Sequence, residues 1–433
     1  MKILAPMSGY LVGSIAIGVP IAFALLFAAM ATGVQVGGPL ADPQIMAAQL
    51  MRGTDSVAMM ALPFFILVGE LMNRGGLTKR IIALANATVG RVRGGLGYVT
   101  ILACLLFGSL VGSAVASTAA LGAILIPMMV KEGYNRERSA GLLASANLVA
   151  PIMPPSVPLI IYGATAGVSI SSLFLAGIAP ALYFTVAIAI TWFFISRKQE
   201  NIKSTAPRPT FMDLVKLFFG SFWALLLPVI ILVGLRSSVF TATEAGVVAV
   251  VYALFIGMVV YREIDVKELF AALRSAAKMS AVVMFLAAAA QVVAYYMALS
   301  GLPELVTSAA SGLVHNPTLL VIVLMMFIIL IGLVLDVIPA ILIFTPIFLP
   351  LLNEAGINLI FFGIIFTLAN VIGLITPPVG PSLNVAAAVG RVKVGALIKP
   401  VMPYLVAQVA LVILMALFPE IILTPLSWLE GTA

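Results

Sequence analysis

Two short stretches hold the residues best equipped for chemistry, NLVAPIMPPSVP at 147–158 and NVIGLITPPVGP at 370–381. Each sets an asparagine seven residues ahead of a Pro-Pro pair, inside an apolar run where a helix would otherwise continue. Proline lacks an amide hydrogen and crowds the preceding turn, so each helix is expected to open there. Counting four residues back from each proline, the freed carbonyls are those of Asn147, Ala150, Pro151 and Pro154, and those of Gly373, Leu374 and Pro377. Amide, hydroxyl and carbonyl oxygens are hard donors of little charge, which suit a weakly held alkali cation, whereas a transition metal calls for His or Cys. His315 and Cys104 each occur alone, so a His-based metal cluster, an internal disulfide and a Ser-His-Asp triad are all excluded. The glycine-rich GRVRGGLGY at 90–98 lacks the spacing of a phosphate loop, which argues against ATP hydrolysis by this chain.

The two stretches are copies of one motif. An ungapped comparison of 127–158 with 350–381 gives nine identities in 32 positions, among them Gly133/Gly356, Asn135/Asn358, Asn147/Asn370 and three prolines. Shared apolar composition does not align asparagines and prolines in this way, and a plain kink has no need of the preceding Asn.

The elements that position these residues lie in a membrane. Of 433 residues 63% are apolar and 9% charged, and the mean hydropathy of +1.21 is far above that of soluble domains. The net charge of +7 is scattered through short loops, so it reports topology and not a nucleic-acid partner. With roughly 20 apolar residues to a span, nine crossings are expected at 8–30, 57–73, 138–166, 171–196, 211–235, 238–261, 278–299, 358–389 and 395–418. The first of these is too long for the apolar core of a signal peptide. Two further runs, 94–131 and 315–352, are interrupted at 109–117 and 335–339 and read as re-entrant hairpins; 75–93 and 262–277 read as helices lying along the inner interface. If the N-terminus is cytoplasmic, 21 of the 23 Lys and Arg fall inside, and only Arg52 and Arg236 lie outside. This arrangement turns the repeat upside down: the two hairpins enter from opposite faces, and the two opened helices meet near the midplane, a plan of secondary transporters.

Three acidic residues fall within or beside the apolar spans. Glu70 precedes Arg74 by four residues, a spacing for a helical ion pair. Glu244 completes the capping box Thr241-Ala-Thr-Glu244. Asp336 sits in the break of the second hairpin with no basic neighbour between Pro317 and Glu354, and an intramembrane carboxylate is a functional candidate by default; the alternative is a neutral acid bonded to a nearby hydroxyl or carbonyl. The equivalent residue in the first hairpin is Ser113. At that tip Gly108-x-x-x-Gly112 also fits close helix packing, against a turn whose serines reach an ion. Each tip aims a helix N-terminus at the midplane, which favours a carboxylate ligand. No Lys or Arg is available there, so bound cations would balance an anion.

Four further stretches carry a resemblance. FGSLVGSAVASTAALGAILIPMMVKEGY (107–134), ANLVAPIMPPSVPLIIYGATAGVSI (146–170), GLVLDVIPAILIFTPIFLPLL (332–352) and ANVIGLITPPVGPSLNVAAAVG (369–390) resemble the large membrane subunit, DctM-like, of tripartite ATP-independent periplasmic (TRAP) transporters. PFFILVGELMNRGGLT (63–78) and TATEAGVVAVVYAL (241–254) extend the likeness over nearly the whole chain. The resemblance implies an all-α polytopic membrane protein with an inverted repeat, two re-entrant hairpins and two discontinuous helices, working as an elevator in the bacterial inner membrane. A scaffold at 1–93 and 198–314 would carry a moving domain at 94–197 and 315–433, with the N-terminus cytoplasmic and the C-terminus periplasmic. It implies sodium-driven uptake of an organic acid, with no catalysis. The partners implied are a separate four-span small subunit, since 433 residues leave no room for a fused one, and a periplasmic binding protein that delivers substrate. The alternative is a stand-alone sodium/dicarboxylate symporter of related architecture.

By the same resemblance a first sodium site would use Ser109, Ser113, Asn147, Pro154 and Ser156. A second would use Gly332, Asp336, Asn370, Thr376 and Pro377. Ser117, Ser156, Ser382 and Asn384 are the expected substrate contacts.

Overall fold

The computed structural model of the chain describes residues 3–197, 211–237, 239–302, 305, 308 and 311–431. Lys2, Lys198, Lys203 and Arg208, counted above on the inner side, lie outside these residues. The described residues form helices and no strand. In order these are α1 (Leu4–Ala16), α2 (Ile21–Val36), α3 (Pro43–Arg52), α4 (Val57–Arg74), α5 (Leu77–Val89), α6 (Gly95–Val111), α7 (Ala114–Lys131), α8 (Arg136–Ala146), α9 (Val157–Ala166), α10 (Ile170–Arg197), α11 (Phe211–Arg236), α12 (Ala242–Phe255) and α13 (Val266–Leu299). Then come α14 (Ser311–Val314), α15 (Pro317–Gly332), α16 (Val337–Glu354), α17 (Leu359–Gly373), α18 (Pro381–Gly390), α19 (Val394–Leu417) and α20 (Glu420–Glu430).

Seven of the described helices are long and apolar enough to cross a membrane. The shorter apolar ones, α6, α9, α15 and α17 among them, are hairpin arms and half-helices, as the proline and glycine breaks require. Both hairpins form: α6 and α7 part at Gly112 and Ser113, and α15 and α16 part at 333–336. Both opened helices form as well, α8 and α9 parting after the 3-10 turn Asn147–Val149, and α17 and α18 parting at 374–380.

The repeated residues have local reasons. Gly133 and Gly356 take positive φ, +85° and +64°, where the second hairpin arms end. Asn135 and Asn358 then cap the next helix, accepting from the amides of Arg138 at 2.9 Å and Phe361 at 3.0 Å. Both Pro-Pro bonds, 154–155 and 377–378, are cis. In α17 every residue from Phe361 to Gly373 is buried, and in α8 every residue from Ser139 to Ala146. Helices buried all round run through a core; the two opened helices are the centre of the fold.

Two of the expected spans are drawn differently. The run 8–30 is not one crossing, because Gly18 at φ +86° and Pro20 split it into α1 and α2, which pack side by side. The interfacial segment 262–277 and the span 278–299 are one helix: Asp265 caps α13 at Glu268, and 34 residues follow without Gly or Pro, about 50 Å of helix. The capping box at Thr241 and Glu244 is present. After Pro419, residues expected as tail form α20 against α10.

Candidate functional site

Burial of the two asparagines sets the chemistry. Asn147 and Asn370 are both fully enclosed, and the Oδ1 of each has no hydrogen-bond partner; Asn370 Nδ2 has none either, while Asn147 Nδ2 donates to the Leu143 carbonyl at 3.2 Å. An unsatisfied buried polar group costs on the order of 1–3 kcal/mol, so such groups persist where something else binds them. The main chain beside them is partly re-capped, which corrects the count of free carbonyls. The Asn147 carbonyl accepts from Ala150 N at 3.1 Å, that of Pro151 from Ser156 Oγ, that of Gly373 from Thr376 N at 3.0 Å and that of Leu374 from Ser382 N at 3.0 Å. The carbonyls of Ala150, Pro154 and Pro377 find no donor among the described residues. Each opening thus keeps a buried amide oxygen and at least one bare main-chain oxygen.

Backbone contacts lock each hairpin onto its opened helix. A Cβ at Gly108 would stand 2.8 Å from Ala150 Cα, and one at Gly332 would collide with the Asn370 carbonyl. From the other side, a Cβ at Gly373 would lie 2.5 Å from Gly332 Cα. The Gly108 pattern therefore does serve close packing, and what it packs against is the opening itself. Gly112, at φ +66°, turns the first tip onto Ser156 and Val157.

The two tips share one cavity of about 200 Å³. Gly112 and Ser113 line it from the first hairpin, Asp336 and Ile338 from the second, and Glu70 and Asn73 from α4. Met279 and Val283 of α13 close it opposite the tips. Asp336, half-buried, caps α16 through Oδ1 to its own next amide at 2.7 Å, as Ser113 caps α7 at Ala116. Glu70 pairs with Arg74 as its spacing predicts, at 3.4 Å, and also accepts from Ser275 at 2.8 Å; Arg74 in turn reaches Glu268 at 2.7 Å. This network ties α4 to α13. Two carboxylates and no cationic residue line the cavity, so positive charge is favoured there.

The remaining expected residues are spread out. Ser109 lies in the last turn of α6, and its side chain is outside the described residues. Ser117 and Thr376 return their hydroxyls to their own helices, at the Ser113 and Ile372 carbonyls. Ser156 caps α9 while donating to Pro151. Ser382 is buried with a free Oγ, whereas Asn384 is exposed and donates to Val379 at 2.7 Å. Of the four expected substrate contacts, none lines the cavity between the tips. Two residues escaped the sequence reading: Thr118 on α7 and Thr345 on α16 are buried with unpartnered Oγ1 atoms. A threonine in an apolar helix ordinarily bonds the preceding turn, so neither stood out.

Paired hairpins and opened helices, meeting around buried oxygens inside a multi-pass apolar bundle, are the plan of a membrane transporter built as an inverted repeat. Residues 9–421 match the family described as "Tripartite ATP-independent periplasmic transporter, DctM component", and the chain belongs to that family. Among its relatives, a "Putative TRAP transporter large permease protein" of Haemophilus influenzae is 47% identical over 97% of this chain and 98% of the relative. The "2,3-diketo-L-gulonate TRAP transporter large permease protein YiaN" of Escherichia coli is 45% identical over 98% of each. The fold is also that of the Alcanivorax borkumensis YdaH transporter, with a TM-score of 0.64 and 16% identity over 93% of this chain and 98% of the other.

Proposed function

We propose that the chain is the permease subunit of a sodium-coupled TRAP transporter that imports a small organic acid through the bacterial inner membrane. The loops that carry most of the Lys and Arg face the cytoplasm and the C-terminus lies in the periplasm, on the strength of the Lys and Arg asymmetry. A small four-span membrane subunit and a periplasmic binding protein complete the transporter, and the binding protein delivers the substrate. The observation that carries the reading is the matched pair of enclosed, unpartnered amide oxygens at Asn147 and Asn370, each beside uncapped carbonyls. Oxygen donors of that kind hold sodium weakly enough for release. Ser113, Pro154 and Ser156 frame the first sodium site with Asn147; Gly332, Asp336, Thr376 and Pro377 frame the second with Asn370. Each bound ion fixes a hairpin tip on its opened helix, and the ordered tips create the anion site, so ions and acid move together. The hairpin-bearing domain, 94–197 and 315–433, slides against the scaffold along the α4 and α13 seam in an elevator motion.

The experiment is uptake of 2,3-diketo-L-gulonate and of C4-dicarboxylates into proteoliposomes holding the permease with its small subunit and binding protein. Import is expected with a sodium gradient and not with a potassium gradient of equal size. Asn147→Ala and Asn370→Ala are expected to lower sodium affinity while the protein still inserts and folds. Unchanged sodium activation in both variants removes the site assignment, and uptake by this chain alone turns the reading to a stand-alone sodium/dicarboxylate symporter.

A further inference from the structure

The seam between α4 and α13 on one side and α9 and α16 on the other holds a second cavity, of about 400 Å³. The same four helices line both cavities: α4 gives Glu70 to the first and Met59 to the second, and α13 gives Met279 and then Ala290. Likewise α9 gives Val157 and then Thr165, and α16 gives Ile338 and then Pro346. Along α4 the two chambers lie about 16 Å apart, at 1.5 Å per residue. Their charges are opposite. The first is lined by Glu70 and Asp336 with no cation, the second by Arg52 with no carboxylate. Arg52 is one of only two basic residues that the charge count places outside, and it makes no ion pair with any described residue.

The backbone that carries this exposed side chain is fixed. Arg52 ends α3, where a cation is favoured by the helix dipole, and the next residue, Gly53, packs so tightly on α13 that a Cβ would lie 2.7 Å from Ala288 Cα. Around Arg52 stand polar groups able to complete the coordination of a carboxylate: the amide of Gln49, itself 94% buried since only 6% is exposed, the amide of Gln291 and the hydroxyl of Tyr295. None of these three side chains has a hydrogen-bond partner among the described residues. Resting on the import function proposed above, we propose that this chamber is an outer capture site for the substrate carboxylate, in which Arg52 binds the anion before it passes to the tips. A guanidinium fork matches a carboxylate in bidentate fashion, which a lysine does not. Because Arg52, Gln49 and Gln291 belong to α3 and α13 while Thr165 and Pro346 belong to α9 and α16, the wall opposite the guanidinium changes when the seam slides. Capture and release follow from that change.

The native thiol, Cys104, is buried, so Gln291→Cys supplies an accessible label in the chamber. In proteoliposomes of the permease with its small subunit, this thiol is treated from outside with an anionic sulfonatoethyl or a cationic trimethylammonioethyl methanethiosulfonate. The anion-to-cation ratio of labelling rates is expected to fall about tenfold when Arg52→Gln is added, the Coulombic effect of one nearby charge on probes of opposite sign. Arg52→Lys is expected to keep the ratio. In the uptake assay, Arg52→Gln raises KM for 2,3-diketo-L-gulonate about tenfold or more, Arg52→Lys raises it less, and sodium activation is unchanged in both. A labelling ratio indifferent to Arg52 overturns the proposal, and so does a lowered ratio with an unchanged KM. The labelling arm decides without transport, so failure of the import reading itself shows separately, as wild-type permease with its small subunit and binding protein that takes up no 2,3-diketo-L-gulonate.

Discussion

Asn370→Leu separates a structural asparagine from one kept for an ion. Asn370 is enclosed on all sides with neither amide atom paired. Replacing a buried polar group by an apolar one of similar shape is nearly neutral or stabilising when no partner is left behind. Two orphaned groups at about 1–3 kcal/mol each are relieved, against about 1–2 kcal/mol for fitting a slightly larger side chain beside Gly332. The sodium-free variant is therefore expected to be as stable as the wild type or more stable by up to about 5 kcal/mol, the reverse of most core substitutions. Added sodium changes the order. A ligand at a hundred times its Kd stabilises by about 2.7 kcal/mol, so the wild-type unfolding temperature rises by several degrees on exchanging potassium chloride for sodium chloride at constant ionic strength, and that of the variant rises much less. The measurement is thermal unfolding of the purified permease in detergent, followed by tryptophan fluorescence. A variant less stable than wild type by more than about 2 kcal/mol in potassium, or one with an undiminished sodium shift, would refute the reasoning.

Two other substitutions test the packing around the site. Gly332→Ala is expected to destabilise by about 1–3 kcal/mol and to weaken the sodium shift, because its Cβ forces the hairpin off the Asn370 carbonyl; Gly395→Ala, with open space around its Cβ, is the matched control, and equal melting of the two variants contradicts the argument. Tyr162→Phe removes a 2.8 Å hydrogen bond to the Leu359 carbonyl that joins the two opened helices, while the ring stays packed on Gly363. A loss of about 1 kcal/mol in thermal unfolding is expected, and a loss above about 3 kcal/mol would show that the hydroxyl does more than bridge.

Much of this site was legible because its signals are backbone signals. Pro154, Pro155, Pro377 and Pro378 open helices wherever they fall, Gly133 and Gly356 take the positive φ that ends one, and Asn135 and Asn358 cap the next. Repetition at a fixed offset then separated Asn147 and Asn370 from ordinary polar residues. The less legible parts depend on partners that sequence does not name. Four of the seven carbonyls expected to be free were re-capped, some by groups as local as Ser156 Oγ and others by the amide of Ser382, the first residues of the following half-helix. The charged segment 262–277 reads as an interfacial helix separate from the span 278–299, yet a helix with no Gly or Pro has no reason to stop there. Thr118 and Thr345 were silent because a threonine's usual bond, to its own helix, is the one these two do not make.

The two halves of the repeat share a backbone and differ in charge, and the proposed function rests on that difference. In the first half the tip offers Ser113, and Asn147 has one of its two amide groups satisfied. In the second the tip offers Asp336, and Asn370 has neither satisfied. An oxygen cage with a carboxylate at its edge draws a cation more strongly than a neutral one, so the second half contributes attraction where the first contributes geometry. Glu70, brought to the same cavity from α4, adds a second negative charge that is partly spent on Arg74 and Ser275. Left alone this chamber repels a carboxylate. Under the proposed function it would accept one only with cations in the openings behind the tips, and the proposed chamber around Arg52, about 16 Å along the same seam, carries the opposite charge. On the proposed reading, the order of binding would follow from which residues the two halves share and which differ: Asn147 and Asn370 are matched, and Ser113 against Asp336 sets the difference in charge.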